Sequence, residues 1–321
     1  VQGSIPPPPA EGAKAWQNLT LPFPDVVYDR GLFPRGDKRR AATAARKILR
    51  RHPDLVMFNP AFFGKWKTHN LLCKNETLCA HLPETKVFTS MEDVHEILQK
   101  YPSAFLKPSG GSSGRGIILI SGGPEGYVVK TRLSRKTVVM KFPDRSQLEK
   151  GVQELMTHQK YIVQQALSLA KVNGNPFDVR VLMQKNKNGI WLRTGIATRV
   201  AGEGSVITNI HAGGHAEKIS TSLNIAFPSE GLARKVLYNI RRLCALITAV
   251  ITEEGSPIFG EAAIDLGVDD TGKVWIIELN AVPGRTVFRR VGLTKVSARA
   301  IARPMEYAIY LAGFAPPGDE K

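Results

Sequence analysis

The chain has 321 residues, with 44 lysines and arginines against 28 aspartates and glutamates, a formal net charge of +16. That length is enough for a large core and one to three domains, and the composition excludes disordered and collagen-like classes. The positive excess favours polyanionic partners: nucleotide, phosphate, nucleic acid or an acidic polymer.

The opening segment SIPPPPAEG lacks the apolar core of a signal peptide, and residues 1–23 read as a Pro-rich linker, tail or truncation point. Next come a short strand in PDVVYDRG (24–31), a basic, alanine-rich helix over 37–51 and an apolar strand LVMFN (55–59). Strand, helix, strand in this order predicts part of an α/β domain with parallel strands, too short for a complete nucleotide-binding unit. A helix covers 65–73, and Ser90 starts another with Asp93 placed for a capping box. Cys73, Cys79 and Cys244 make no zinc pattern and predict reduced thiols in a cytoplasmic protein. A strand at 103–107 leads into the loop PSGGSSGRG (108–116), and strands at 117–120, 127–130 and 137–141 predict an antiparallel meander. Asp144 N-caps a helix to 157, with Gln147 three residues on, and 161–167 is a strand. The KNKNG turn predicts a hairpin between strands 177–184 and 189–200. A glycine-rich polar loop follows over 202–218. Apolar residues at 232, 236, 240, 243, 247 and 251 then predict an amphipathic helix over 229–253. Strands 258–268 and 274–280 and a helix over 294–311 close the chain. No apolar run approaches the length of a membrane span.

The stretch VWIIELNAVPGR (274–285) organises the chemistry. Its apolar start suits a buried strand, and Glu278 and Asn280, two apart, point the same way before Pro283-Gly284 turns the chain. A carboxylate and an amide oxygen suit a hard cation also held by phosphate oxygens, Mg²⁺ or Mn²⁺. A hairpin through DDTG would bring Asp265 to the same place as a third oxygen ligand. Lys107 ends its strand just before the glycine-rich loop, where backbone N–H groups can cradle phosphates and the lysine supplies a point charge. No GK[ST] follows, so this is not a Walker A loop. Gln164 to Leu167 end a strand at which an adenine ring can lie. Asp178 and Arg180 share one strand face. If that face lines a cleft, Asp178 can accept from a ribose hydroxyl and Arg180 can neutralise phosphate. Taken singly, each signal also has a plain structural explanation: a solvated strand edge, a flexible turn or an ordinary half-buried sheet.

Taken in order, these segments resemble the ATP-grasp superfamily, over about Phe58 to Gly313. The resemblance implies nucleotide binding by Lys65 or Lys67, Lys107, Ser112, Ser113, Gly114, Gly116, Gln164, Gln165 and Leu167, and metal binding by Asp265, Glu278 and Asn280. TRVAGEGSVITNIHAGG (198–214) is similar to a loop of the ribosomal-protein glutamate ligase RimK, which places Arg199 and Asn209 near the transferring phosphate. His211 in the same loop is a candidate base, though a solvated histidine is the commoner case. NPAFFGKW, HLPET, FLKPSGGSSGRGI, PFDVRVLMQKN and GEAAIDLGV followed by IIELNAVPGR look like the YheC/YheD group, described as endospore-coat-associated. The implied fold is α/β (α+β): an ATP-grasp domain (65–313) whose two α/β subdomains (about 85–165 and 166–313) clasp nucleotide, after a shortened α/β segment (24–64) and before a tail (314–321). The implied activity is an ATP- and Mg²⁺-dependent carboxylate–amine or carboxylate–thiol ligase working through an acylphosphate, with Arg180, Arg199 and Asn209 as its catalytic set. Two other readings stand beside it: a nucleotide-binding structural protein of a spore coat or envelope, and a basic nucleic-acid binder, for which no motif is present.

Overall fold

The computed structural model describes residues 2–6, 16–31, 33, 36–59, 64–110, 116–133, 136–202, 214–255 and 257–314. Strands β1 (Gln2–Ile5) and β2 (Gln17–Thr20) pair antiparallel, so paired strands stand where a linker is expected. β3 (Val26–Tyr28), α1 (Asp37–Leu49) and β4 (Val56–Phe58) form the predicted parallel unit. Asn59 ends β4 in a left-handed conformation (φ 55°). Its buried amide bonds the carbonyls of Glu261 and Ala281 at 2.7 and 2.6 Å and accepts from the N–H groups of Gly260 and Glu261 at 2.8 and 3.1 Å. One side chain thus ties this unit to two strands some 200 residues further on.

Helices α2 (Lys65–Leu72) and α3 (Glu76–Cys79) follow. The Asn75 side chain caps α3 by accepting from Leu78 N–H at 3.1 Å, which folds α3 back on α2. Cys73 and Cys79 then lie with Cα atoms 4.3 Å apart and form a disulfide. This corrects the expectation of three reduced thiols, and the cysteine argument for a reducing compartment falls with it. Cys244 is a buried thiol, pushed up to about 12 by burial.

The first six-stranded sheet runs in the order β5 (Thr85–Val87), β10 (Tyr161–Gln165), β6 (Ser103–Pro108), β7 (Ile118–Gly123), β8 (Gly126–Leu133), β9 (Lys136–Phe142). Helices α4 (Met91–Lys100) and α5 (Arg145–Leu155) pack on one face. Both carry the predicted caps: Asp93 accepts from Ser90 N–H at 3.1 Å, and Asp144 from Gln147 N–H at 2.9 Å. Ala104, Leu106, Tyr161 and Val163 face this core, so by alternation Phe105, Lys107, Ile162 and Gln164 face the other way.

The second sheet has the order β14 (His215–Glu217), β13 (Trp191–Val200), β12 (Asn175–Lys185), β15 (Glu261–Val268), β16 (Val274–Asn280), with β11 (Lys171–Val172) paired to β12. One face is covered by α7 (Glu230–Glu253), whose apolar stripe meets Phe177, Val179, Val181, Ile264, Leu266, Ile276 and Leu279. α6 (Ile219–Ala226) packs on the same core. α8 (Thr286–Arg290) and α9 (Thr294–Leu311) cover part of the opposite face around Leu182, Ala197, Phe288 and Ala300. The rest of that face carries the polar residues of the site. The sequence patterns do not foretell β5, β11, β14, α3, α6 or α8, and several expected strands run too long, among them β10, which ends at Gln165, and β15, which begins at Glu261.

Candidate functional site

The site lies where the second sheet's polar face meets Lys107. The predicted hairpin exists, with Asp265 directly opposite Glu278 and Ala263 opposite Asn280. A register shift beside Asp265 lets Ile277 join Leu169 over Gly267, where a Cβ would come within 2.6 Å of the Leu169 side chain. Gly267 is therefore required to keep this apolar floor level.

Across the sheet, Arg199 pairs with Asp178 and Arg180 with Asp265 in the strand register. Arg199 donates from Nε and Nη2 to the two Asp178 oxygens at 2.6 and 2.7 Å, and its Nη2 also lies 3.0 Å from Asp265 Oδ2. Arg180 grips Asp265 with Nε and with Nη2, the latter at 2.8 Å. Burial opposes ionisation of Asp265, but Arg180 and Arg199 together hold its carboxyl below the ordinary range. Burial likewise opposes the charge on Arg199, and Asp178 and Asp265 overcome it, raising its pKa. Two arginines and two aspartates thus form a fixed, nearly dry lattice. Asp178 was read as open to ribose. Both of its oxygens accept from Arg199, which fixes that guanidinium and leaves each oxygen capacity for a further donor.

Glu278 is more open. Lys65, the first residue of α2, places Nζ 3.5 Å from its carboxylate. Lys107 reaches the same spot from the first sheet. Burial lowers its pKa to about 8, Lys65 adds to the effect and Glu278 opposes it. Lys107 donates to Gln164 Oε1 at 2.6 Å, and Gln164 in turn donates to Thr85 Oγ1 at 2.8 Å. Gln164 is therefore a buried support for the lysine. Gln165 spends its N–H on the Glu84 carbonyl (2.8 Å) and its side-chain oxygen on the Glu84 N–H (3.3 Å), and Leu167 lies half-buried just past β10. Gly116 has φ 70°, a conformation that favours glycine, at the end of the glycine-rich loop. Ser112, Ser113, Gly114, Asn209 and His211 lie outside the described residues.

The donor set fits a hard cation held jointly with a nucleotide. Asn280 turns Nδ2 toward Asp265 at 3.4 Å, and among the described residues Glu278 has only the longer contact to Lys65. Asp265 is already neutralised by two guanidiniums. Among the described residues no three His, Cys, Asp or Glu side chains form a metal cluster, so phosphate oxygens would have to complete the shell.

Sequence reasoning missed a second polar cluster on the same face. Glu261, fully buried, accepts from the Tyr28 hydroxyl, from Gln184 Nε2 at 2.8 Å and from Arg285 Nη2 at 2.8 Å, and Arg30 Nη1 lies 3.6 Å away. Arg30 also donates to the Pro283 carbonyl at 2.8 Å. The only signal in the sequence was Arg285 immediately after the Pro-Gly turn.

Two sheets closing on a cleft with a lysine on one wall and an Asp/Glu-x-Asn set on the other define the ATP-grasp class. Within it, the chain belongs to the YheC/D-like ATP-grasp family, which matches residues 54–311. It is similar to the endospore coat-associated protein YheD of Bacillus subtilis (strain 168), 29% identical over 298 residues, covering 92% of this chain and 65% of that protein. The chain thus spans less than two thirds of that relative's length. Endospore coat-associated protein YheC of the same organism is 24% identical over 285 residues, covering 87% of this chain and 76% of that protein. Among solved structures, the ATP-grasp ligase PsnB complexed with its minimal precursor aligns with a TM-score of 0.53 at 16% identity, covering 88% of this chain and 80% of that one. PsnB complexed with minimal precursor, Mg and ADP aligns at 0.51 and 15%, covering 97% and 85%. These likenesses establish the fold. No helix among the described residues is long and apolar enough to cross a membrane.

Proposed function

We propose that the protein is an ATP-dependent ligase that activates a carboxylate as an acylphosphate and passes the acyl group to an amine. The observation that carries this reading is the convergence of Lys65, Lys107, Arg180, Arg199, Glu278 and Asn280 from two sheets and a helix. Phosphoryl transfer needs positioned positive charge and little covalent chemistry from the protein, and among its described residues this cleft offers cations without a nucleophile–base pair. In this reading the two sheets are the clasping subdomains, and residues 24–64 form the partial α/β segment in front of them. The base lies against Ile277, Leu169 and the Gln164 to Leu167 segment. Lys107 and Lys65 neutralise the phosphates. Arg199 and Arg180, fixed by Asp178 and Asp265, face the migrating phosphoryl group, and Asn209 serves the same group. Glu278, Asn280 and Asp265 would hold Mg²⁺, which would supply Lewis-acid charge to the phosphate oxygens. The substrate carboxylate attacks the γ-phosphorus and releases ADP. The amine then adds to the acyl carbon, phosphate leaves, and the amine proton goes to solvent.

The test follows heavy oxygen from a labelled substrate carboxylate into released phosphate. Candidate carboxylate–amine pairs are first screened for phosphate release from ATP. Transfer of one labelled oxygen per turnover is expected. An active pair without label transfer overturns the acylphosphate. If no pair stimulates cleavage, a nucleotide-binding protein without turnover is favoured.

A further inference from the structure

The two polar clusters on the second sheet are spaced in a way that bears on the substrate. Glu261 and Asp265 lie on the same face of β15, four residues apart, which is about 13 Å along a strand. The Asp265 cluster is balanced, with Arg180 and Arg199 against Asp178 and Asp265. The Glu261 cluster is not: one carboxylate faces both Arg285 and Arg30, and Tyr28 stays protonated because burial and Glu261 raise its pKa. Glu261 is already satisfied by Tyr28, Gln184 and Arg285, and Arg30 stands off at 3.6 Å with its side chain one-third exposed. Arg285 Nε is buried with no hydrogen-bond partner. A buried donor without a partner is costly, and an incoming anion would relieve it. The surplus cation therefore sits at the rim, beside the turn that follows Asn280, with donor capacity to spare.

We propose that Arg30 and Arg285 anchor a second carboxylate of the substrate, so that the substrate is an acidic peptide or a polymer bearing several carboxylates. The spacing rests on the ligase reading, which puts the reacting carboxylate near Arg199. Two anion sites set several residues' rise apart along the sheet suit two acidic side chains a few positions apart on an extended chain and exceed the span of a single amino acid. Arg30 comes from the N-terminal α/β unit, so that segment contributes to substrate choice although it lies outside both sheets of the cleft.

Binding of short poly-L-glutamate, measured by calorimetry at fixed salt, tests this without requiring turnover. Poly-L-glutamate is expected to bind, free glutamate to bind far more weakly, and Arg30→Gln to lower polymer affinity at least fivefold with Tm and Mg·ATP affinity unchanged. Arg30→Lys should recover part of the loss. Lys150→Gln, which removes an exposed charge on α5, should leave affinity as it was. Absence of polymer binding, an unchanged Arg30→Gln affinity, or an equal loss from Lys150→Gln would overturn the proposal. So would single-stranded DNA of matched charge binding as tightly and with the same Arg30 dependence. Loss of ATP binding in the unaltered protein would count against the ligase reading alone.

Discussion

Lys107 and Arg199 bring the same charge to one cleft from opposite sheets, and their surroundings treat it in opposite ways. Burial lowers Lys107 to about 8, and the nearest cation, Lys65, adds to that shift. Arg199 is also buried, but Asp178 and Asp265 more than compensate and raise its pKa. The lysine wall holds an underneutralised charge that gains from an incoming anion. The arginine wall holds a charge already anchored in place. On the proposed ligase reading, binding energy is concentrated on the first sheet, and fixed geometry for charge that moves during reaction on the second. The residue types fit: a lysine shifts its pKa readily when buried, and an arginine grips carboxylates two-handed.

The largest effect should come from breaking the anchored wall. Asp178→Ala leaves the buried Arg199 guanidinium facing Asp265, a carboxylate that Arg180 already grips. Removing one partner of a buried pair leaves charge uncompensated, and we expect a loss of about 3 kcal/mol in unfolding free energy. Urea denaturation reads it. A loss below about 1 kcal/mol would mean that the lattice is not what fixes Arg199.

Glu278 stands between the walls, touched by Lys65 and felt by Lys107. Glu278→Gln keeps the shape and removes one negative charge. We expect ATP binding to persist and turnover to fall on the order of a hundredfold, the cost of one transition-state stabiliser. Equal losses in binding and turnover would place Glu278 with the binding wall.

Lys107→Met tests the lysine wall itself. With a free-state pKa near 8, ATP affinity of the unaltered protein should fall as pH rises above 8, because binding requires the protonated ammonium. The variant should bind about tenfold more weakly at pH 7 and lose that slope. The sign for stability is opposite. The folded pKa lies below the ordinary 10.5, so the unfolded chain holds more protons between about 8 and 10.5, and the penalty from burying Lys107 is relieved as pH rises through that window. Titration calorimetry from pH 7 to 9 checks the slope, and a flat profile in the unaltered protein would remove Lys107 from the phosphate site.

Much of this contrast was legible in the sequence, and what was missing has a common cause. Period-two alternation put Asp178 and Arg180 on one face, and the DDTG turn set Asp265 opposite Glu278. Local rules also sufficed for the caps at Ser90 and Asp144. Alternation fixes the face of a side chain but not its partner, so the cross-strand arginine that donates to both Asp178 oxygens was not foreseen. The Glu261 cluster was invisible for the same reason, since Tyr28 and Glu261 lie 233 residues apart in the chain. The disulfide joins cysteines six residues apart across the α2–α3 turn, at which Asn75 caps α3, and the absence of a zinc spacing said nothing about that pairing.

The smallest expected effect separates the lysine's position from its charge. The Gln164 to Leu167 segment was read as an adenine contact through its backbone, and the Gln164 side chain lies buried between Lys107 and Thr85. A hydrogen bond to an ionised group is stronger than one to its neutral form, so the Gln164 carbonyl favours the ammonium. Gln164→Leu removes that acceptor at similar volume, while Thr85 Oγ1 keeps its own bond to the Pro83 carbonyl at 2.8 Å. The pH at which ATP affinity begins to fall should therefore move below 8, and affinity at pH 7 should drop about threefold, the scale of one modest hydrogen bond. The same calorimetric series reads both. If affinity falls at every pH by one factor and the transition stays in place, Gln164 acts on the nucleotide directly and the adenine reading returns. If the transition moves and affinity well below it is unchanged, Gln164 acts only through Lys107, and the binding wall is a lysine tuned by its own sheet.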